Sequence, residues 1–407
     1  MIELLYLTHR IPYPPNKGDK IRAFHILDYL RQHARVHLAS FIDDASDWQH
    51  VATLQAMCAS TCFLPLRPAL ARLRSVSGWW RAEPLSVGYY RDAQMQQWVE
   101  QTLARHPIDT ALAYSGPIAQ YLPARTARGP LHRVMDFVDV DSAKWRDYAT
   151  SQPWPWSRLY QREAVRLAEY EAAVARRFDR VSLVSAAEAA LFCQHAPDSA
   201  HKTAHFSNGV DAEYFCPDVQ RASPFPASQV PLVFTGAMDY WPNVQAVHWF
   251  CDHVLPAVRL QHPAVAFHII GARPTGPVQS LAKRPGVYVS GTVADIRPYL
   301  QHAAVAVAPL RIARGIQNKV LEAMAMARPV IASAQALEGI DARIGHELLG
   351  AADAGEFIHH INDLLSTGEN GLGPAARARI VGSYNWQRNL AHVGALLGLP
   401  ATVGPIP

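Results

Sequence analysis

Short apolar runs alternate with helical patterns along almost the whole chain, and this alternation restricts the fold more than any other feature. Ile2–Thr8, Val36–Phe41 and Ile108–Tyr114 have the composition of buried strands in the first half, as do Leu232–Thr235 and Phe267–Gly271 in the second. Strands that are buried on both faces form parallel sheets, and helices connect them. The sequence therefore predicts two doubly wound parallel-sheet α/β domains.

A proline-rich stretch marks the predicted boundary between the two domains. Residues 217–231 combine small polar residues with four prolines, a composition typical of a linker; the prolines are Pro217, Pro224, Pro226 and Pro231. The predicted organisation is a domain over residues 1–216, a linker over 217–231, a domain over 232–384, and a C-terminal helix and tail over 385–407 that packs back toward the first domain.

Composition and charge exclude several classes of function. The 407 residues carry a net charge of only +4, which does not favour nucleic-acid binding. The five cysteines form no CxxC pair and the 19 histidines no HExxH motif, so we expect no disulfide framework and no metal. The N-terminal apolar run is too short for a signal peptide, and no run is long enough to span a bilayer. We expect a cytoplasmic protein and leave open a peripheral contact with the inner membrane.

The stretch Pro309–Ser333 is the strongest candidate for a ligand site. It follows a buried strand and predicts a helix beginning near Gly315, on which Lys319 and Glu322 share one face. A helix N-terminus with nearby cations suits phosphates, and a carboxylate can accept hydrogen bonds from two hydroxyls; the cations are Arg311, Arg314 and Lys319. The pattern indicates a nucleotide-diphosphate sugar. The alternative is an ordinary amphipathic helix with an exposed ion pair.

A second candidate site follows the first strand. The loop after Thr8 ends in a helix that begins near Asp19, and loops of this kind in βαβ units approach ligands. His9, Gly18, Asp19 and Lys20 lie there, and a glycine beside cations can admit a phosphate close to the backbone. The alternative is a solvated loop.

Two further segments could contact an acceptor. Asp136, Asp139 and Asp141 follow a predicted strand, where carboxylates can bind sugar hydroxyls or cap a helix, and a metal is less favoured. Residues 66–92 combine arginines with paired tryptophans, which is typical of a membrane interface; the proposed patch is Arg72, Arg74, Trp79 and Trp80. The alternative for this segment is a helical core with surface arginines.

Three quoted segments resemble a known family. SNGVDAEYF (207–215) and PLR…GIQNKVLEAMAMARPVIA (309–332) are similar to family-4 glycosyltransferases of the GT-B fold. YLTHRIPYPPNKGDKIRAFH (6–25) resembles a narrower group, the sugar transferases of bacterial exopolysaccharide and PEP-CTERM/exosortase systems. The resemblance implies two Rossmann-like domains that face a central cleft.

The resemblance also implies a reaction and its residues. It suggests transfer from a UDP- or GDP-linked sugar to a lipid-linked acceptor, with retained configuration and without a metal or other cofactor. Glu322 would bind the ribose hydroxyls and Lys319 the diphosphate, while His9, Asp139 or Asp141 would act at the acceptor. The predicted donor-binding residues are Gly18, Asp19, Lys20, Gly236, Arg311, Arg314, Gly315, Ile316, Gln317, Lys319 and Glu322.

Two departures from the family pattern change what is expected at the donor site. Arg314 occupies the position of the first of two glutamates that the family often has, and a guanidinium cannot accept hydrogen bonds from sugar hydroxyls. Met238 and Asn243 stand where basic residues are frequent. We therefore expect Arg311, Arg314 and Lys319 to meet the phosphate charge.

Other functions remain open at this stage. A nucleotide-sugar epimerase of the same fold would need no acceptor, and a non-catalytic sugar-nucleotide-binding protein would fit the missing glutamate. A dinucleotide-dependent dehydrogenase is disfavoured because no GxGxxG follows a predicted strand.

Overall fold

The protein, described here by a computed structural model, divides into two compact units. The structure describes residues 2–80, 83–368 and 371–400, without the side chains of residues 76–80. The first unit contains the chain up to Ser207 together with the segment from Gln387, and the second contains Asn208–Trp386. Each unit is built on its own parallel sheet, as the sequence predicts.

The first unit contains a seven-stranded sheet in the order β3-β2-β1-β4-β7-β8-β9, with every pair parallel. Its central strand is fully enclosed, since Leu4, Leu5 and Tyr6 have no exposed surface. The strands are β1 (Ile2–Thr8), β2 (Ala34–Ile42), β3 (Ser60–Pro65), β4 (Ile108–Tyr114), β5 (Arg125–Thr126), β6 (Gly129–Pro130), β7 (His132–Val138), β8 (Arg180–Leu183) and β9 (Thr203–His205). Strands β5 and β6 form a separate antiparallel pair.

Helices connect these strands and cover the sheet. The longest carries a buried stripe of Ala164, Leu167, Glu171 and Val174, spaced by three or four residues as one helix face requires. The helices are α1 (Gly18–His33), α2 (Val51–Met57), α3 (Pro68–Trp80), α4 (Leu85–Tyr89), α5 (Ala93–Arg105), α6 (Asp141–Ser151), α7 (Trp156–Arg177) and α8 (Ala186–His195). Short 3-10 helices cover Ala45–His50, Gly116–Tyr121 and Pro197–Lys202.

The second unit contains a six-stranded parallel sheet in the order β12-β11-β10-β13-β14-β15. Phe234, Phe250 and Phe267 fill its core with no exposed surface. The strands are β10 (Val230–Thr235), β11 (Val265–Ile270), β12 (Val287–Gly291), β13 (Val305–Ala308), β14 (Val330–Ser333) and β15 (Leu349–Ala351). The helices are α9 (Trp241–His253), α10 (Leu255–Gln261), α11 (Gly276–Leu281), α12 (Arg297–Gln301), α13 (Asn318–Ala325), α14 (Ala334–Leu337), α15 (Ala354–Thr367) and α16 (Leu372–Ser383).

The last helix, α17 (Trp386–Leu396), crosses from the second unit to the first at its first residue. Its side chains Leu390 and Val393 are buried. His132 at the start of β7 contacts it, with Nε2 donating to the Leu396 carbonyl at 3.0 Å. The first unit is therefore discontinuous in sequence.

The boundary between the units lies earlier than residue 216, where the sequence suggested the first domain would end. The chain divides between Ser207 and Asn208. Val210 and Phe225 are part of the second unit's apolar core, so the proline-rich stretch is anchored to that unit through Phe225. No helix among the described residues is both long enough and apolar enough to cross a bilayer.

Candidate functional site

The order of the second sheet places one candidate site where β10 meets β13. The chain moves outward from β10 through β11 to β12 and then returns to β13 on the other side, so the connections diverge there. In open parallel sheets, ligands bind at such a point, outside the carboxyl ends of the strands. Gly236 follows β10 and Pro309 follows β13 at this position.

Lys319 lies in the first turn of α13 and extends toward this edge. Its Nζ donates a hydrogen bond of 2.6 Å to Asn243 Oδ1 and lies 4.6 Å from the ring centroid of Phe234. Asn243 is itself buried, and its Nδ2 donates to the Ala237 carbonyl at 2.9 Å. One amide side chain therefore holds the ammonium in place against the loop that follows β10.

Gly236 leaves the space into which Lys319 projects. Its φ is +153°, and a Cβ at this position would lie 2.7 Å from Asn243 Nδ2 and 3.4 Å from Lys319 Nζ. Any side chain would displace the amide that holds the ammonium, so only glycine fits. Gly236, Asn243 and Lys319 thus form one unit, in which a bare backbone and a fixed cation face the same edge.

Burial changes the charge balance of the lysine and of Glu322. It lowers the pKa of Lys319 to about 7, although the Glu322 carboxylate acts to raise it. It also raises the pKa of Glu322 to about 7, with the Lys319 charge opposing the shift. Both groups therefore change their charge near neutral pH, which is common at ligand sites and uncommon on exposed helices. An exposed ion pair, the alternative considered above, does not describe them.

The helix that carries Lys319 begins at Asn318, three residues after the predicted start near Gly315. Gly315 has a left-handed φ of +64°, which ends any helical continuation toward the N-terminus. Gly315, Ile316 and Gln317 are therefore loop residues that precede the helix, and Gln317 Nε2 donates to the Arg314 carbonyl at 3.0 Å. The predicted donor contacts of this loop stay predictions.

The two arginines before the helix already have partners. Arg314 Nη1 donates to Glu338 Oε1 at 3.1 Å, so its charge is partly neutralised by a carboxylate just beyond α14. The Arg311 guanidinium lies 5.2 Å from the ring centroid of Trp249 on α9. Among the predicted cations of this stretch, Lys319 is the one whose position at the sheet edge is fixed by described contacts.

A second group lies at the carboxyl end of β1 in the first unit. His9 Nε2 lies 3.4 Å from Asp19 Oδ2, and Arg10 Nη1 donates to the same oxygen at 2.5 Å. The His9 ring stacks on Tyr114 with centroids 5.8 Å apart and meets Tyr90 edge-on at the same distance. Burial acts to raise the pKa of Asp19, but the His9 hydrogen bond and the Arg10 charge hold it well below its usual range.

This arrangement fixes the orientation of the imidazole. With Nε2 directed at Asp19, Nδ1 is buried and makes no hydrogen bond to any residue that the structure describes. The nitrogen opposite Asp19 is therefore a buried polar atom that no described residue satisfies. Gly18, also predicted at this site, is exposed and begins α1.

Neighbouring cations of the same segment have structural partners. Lys20 is buried and donates from Nζ to Asp47 Oδ2 at 2.6 Å, so its predicted contact with the donor competes with an existing ion pair. Arg22 is fully buried, donates from Nε to Asp136 Oδ2 at 2.9 Å and lies 3.7 Å from the Phe206 ring centroid. Asp136 is thus a core residue and is separated in role from the other two aspartates.

Asp139 and Asp141 follow β7 as predicted, at a point of backbone strain. Val138 has a φ of +72°, a conformation that β-branched residues rarely adopt and that is often found at functional sites. Burial raises the pKa of Asp139 to about 7, against the Lys144 charge, and its Oδ1 has no hydrogen-bond partner among the described residues. Asp141 begins α6, with Oδ1 3.9 Å from Lys144 Nζ.

The predicted membrane patch is described only in part. Arg72 is exposed on α3. Arg74 donates to Asp92 Oδ2 at 3.2 Å and to the Arg91 carbonyl at 2.5 Å, so it ties α3 to the start of α5. The side chains of Trp79 and Trp80 lie outside the described residues.

Several residues of these sites carried no clear signal in the sequence. Tyr90 and Tyr114 are 81 and 105 residues from His9 along the chain, and Glu338 is 24 residues from Arg314. The sequence shows the Pro242-Asn243 pair at a helix start, but it does not show that Asn243 contacts Lys319. Topology alone brings these pairs together.

A family model matches part of the second unit. Residues 229–367 match a family model described as glycosyl transferases group 1, a range that includes Gly236, Asn243, Lys319 and Glu322. No curated protein sequence matches the chain.

Solved structures match over almost the full length. HepE from Anabaena in complex with UDP has 18% identity and a TM-score of 0.68, covering 98% of this chain and 100% of its own. HepE has also been solved with UDP-glucose. Sucrose-phosphate synthase from Thermosynechococcus elongatus has 17% identity and a TM-score of 0.70, covering 97% and 98%. WaaG, a glycosyltransferase involved in lipopolysaccharide biosynthesis, has 14% identity and a TM-score of 0.62, covering 98% and 100%. The chain therefore has the GT-B fold, with two parallel-sheet α/β domains.

Proposed function

We propose that this protein is a glycosyltransferase that takes a sugar from a UDP- or GDP-linked donor. The observation that carries the proposal is the group formed by Gly236, Asn243 and Lys319 at the point where β10 meets β13. It combines close backbone access with a fixed ammonium, as a diphosphate requires. The group-1 family match over residues 229–367 and the UDP and UDP-glucose complexes of HepE support the same donor class.

The chemistry follows from where charge develops. As the sugar–phosphate bond breaks, the leaving nucleoside diphosphate gains negative charge, and a cation already in place stabilises the transition state more than the ground state. Lys319 would supply that cation. Glu322, one turn further along α13, would accept hydrogen bonds from the ribose hydroxyls. This chemistry needs no metal ion, and we propose a metal-independent transfer with retained configuration.

His9 would act on the acceptor. Its Nε2 is held toward Asp19, and its buried Nδ1 can accept a hydrogen bond from an attacking hydroxyl. Asp139, whose raised pKa keeps it partly protonated near pH 7, could donate to or accept from another acceptor hydroxyl. The proposed acceptor is a lipid-linked saccharide precursor of an exopolysaccharide, and the resemblance to PEP-CTERM/exosortase-associated transferases supports this choice. Exposed Arg72 would face the anionic membrane surface.

The test is a donor panel followed by a transfer assay. The full chain is screened by thermal shift against UDP, GDP and their common sugars, since a ligand at 100 times its dissociation constant adds about 2.7 kcal/mol of stability. The best donor is then incubated with and without saccharide acceptors. Acceptor-dependent release of the nucleotide supports a transferase, and sugar interconversion without acceptor would show an epimerase.

A matched pair of variants assigns the site. Lys319→Ala should bind the donor much more weakly while the fold is retained. Lys283→Ala, which replaces an exposed lysine in the same unit, should bind the donor as wild type does. An unchanged donor affinity in Lys319→Ala would refute the site. A chain that binds donors but shows neither transfer nor interconversion would be a non-catalytic binding protein.

A further inference from the structure

Three potential metal ligands meet at the amino-terminal edge of the first sheet. Glu3 lies on β1 and His37 on β2, and His106 lies just before β4; β2 and β4 flank β1 on its two sides. In the parallel register, Glu3 is paired with Arg35, and His37 is two residues further along the strand. Side chains two residues apart share a face of the sheet, so Glu3 and His37 lie on the same face.

The three side chains converge on one carboxylate oxygen. His37 Nε2 lies 3.2 Å and His106 Nδ1 lies 3.3 Å from Glu3 Oε2, and all three ligand atoms lie within 4.8 Å of one another. Ligand atoms bound at about 2.0–2.1 Å to a tetrahedral ion are about 3.3–3.4 Å apart. Two of the three distances between ligand atoms therefore already match those around a tetrahedral metal ion.

The surroundings of His37 suit a metal ligand. The side chain has no exposed surface, and its other ring nitrogen, Nδ1, lies 2.7 Å from Ser60 Oγ on β3. An outer hydrogen bond of this kind fixes the orientation of a ligating histidine.

Arg35 contacts one carboxylate oxygen of Glu3 and leaves the other oxygen to bind a metal. Arg35 Nη1 lies 3.4 Å from the other carboxylate oxygen, Glu3 Oε1, and Arg35 is exposed to solvent. His106 is about one-third exposed, so an ion and a water ligand can enter from its side. Two imidazoles and a carboxylate favour a borderline transition metal over Mg²⁺ or Ca²⁺, which prefer oxygen ligands.

We propose that Glu3, His37 and His106 form a binding site for a divalent transition metal ion of the zinc type, with water as the fourth ligand. The ion joins β1, β2 and the segment before β4 at the edge of the sheet opposite His9. Because the ligands come together only in the folded chain, a bound ion stabilises that state. No local sequence motif marks this site, since successive ligands are 34 and 69 residues apart.

The test compares two histidine variants of the full chain after removal of metal by a chelator. His106→Gln removes a partly exposed ligand, and His359→Gln removes an exposed histidine that also lies beside another histidine, His360, with ring centroids 5.5 Å apart. Wild type and His359→Gln should bind one equivalent of Zn²⁺ tightly by calorimetry. His106→Gln should bind it at least about 100-fold more weakly.

Two further readouts separate a built site from adventitious binding. Co²⁺ should give the intense visible absorption of a tetrahedral site in wild type and not in His106→Gln. Zn²⁺ should raise the melting temperature of wild type and His359→Gln, and leave that of His106→Gln unchanged. Equal Zn²⁺ affinity in wild type and His106→Gln would overturn the proposal and show that the three side chains form a hydrogen-bonded cluster only.

Discussion

At the proposed donor site, Lys319 and Glu322 would bind the donor in their charged forms, so donor binding should weaken on both sides of neutral pH. Burial lowers the pKa of Lys319 to about 7, so the ammonium is present below pH 7 and is lost as pH rises. Burial raises the pKa of Glu322 to about 7, so the carboxylate is present above pH 7 and is lost as pH falls. In the complex, phosphate and ribose hydroxyls hold both groups in their ionised forms.

The size of the effect follows from these two values. Because the two groups titrate in opposite directions and interact, the fraction of protein with both groups charged is greatest near pH 7 and falls roughly severalfold by pH 5.5 and by pH 8.5. The dissociation constant should rise by the same factor. Calorimetry with UDP-glucose measures it over this range without interference, since the diphosphate of the sugar nucleotide does not titrate there.

Two variants should each remove one side of this pH dependence of donor affinity. Lys319→Met should weaken binding roughly 10- to 150-fold at pH 7, the value of one charge-assisted hydrogen bond, and its affinity should then only rise with pH. Glu322→Gln should show the opposite, an affinity that only falls with pH. The reasoning would be refuted by a wild-type dissociation constant that does not change from pH 5.5 to 8.5. It would also be refuted by a variant whose affinity still falls on both sides of pH 7.

Three further substitutions test the rest of the site. Gly236→Ala should abolish donor binding by displacing Asn243, and it should lower the free energy of unfolding by about 1–3 kcal/mol. The control Gly291→Ala, with open space around its Cβ, should keep donor binding. Retained binding in Gly236→Ala would contradict the assignment. Asp136→Ala should destabilise the first unit in urea by about 3–5 kcal/mol because it removes the carboxylate that balances the charge of the buried Arg22 guanidinium. Asp28→Ala, which breaks an exposed pair, should destabilise it by less than about 1 kcal/mol. His9→Gln should lower acceptor-dependent turnover roughly 10- to 100-fold and leave the dissociation constant of the donor unchanged. A weaker donor affinity would show that His9 acts on the donor and not on the acceptor.

Strands and the fold class could be predicted from the sequence because the signal is local. The strand Ile2–Thr8 was predicted with the bounds that the structure gives, because the apolar run Leu4–Leu7 is short and a proline-rich loop follows it. The start of α13 was wrong by three residues. Residue spacing placed Gly315 on the same helix face as Lys319 and suggested a start there, but Gly315 adopts a left-handed φ and the helix begins at Asn318.

The roles of charged residues could be predicted less well, because they depend on partners distant in the sequence. Lys20 and Arg22 look alike as cations of one loop and helix, and their buried partners Asp47 and Asp136 lie 27 and 114 residues away. Lys319 could be singled out because helix periodicity places it beside Glu322. The contact with Asn243, 76 residues earlier, could not be read from any local pattern.

The placement of α17 has a consequence for the order of events during synthesis. The first unit needs Leu390 and Val393 to complete its core, and these residues are translated after the whole of the second unit. The second unit therefore leaves the ribosome in full, and can fold, while the first unit still lacks one of its helices. The N-terminal half of the chain, although made first, is the last to be finished.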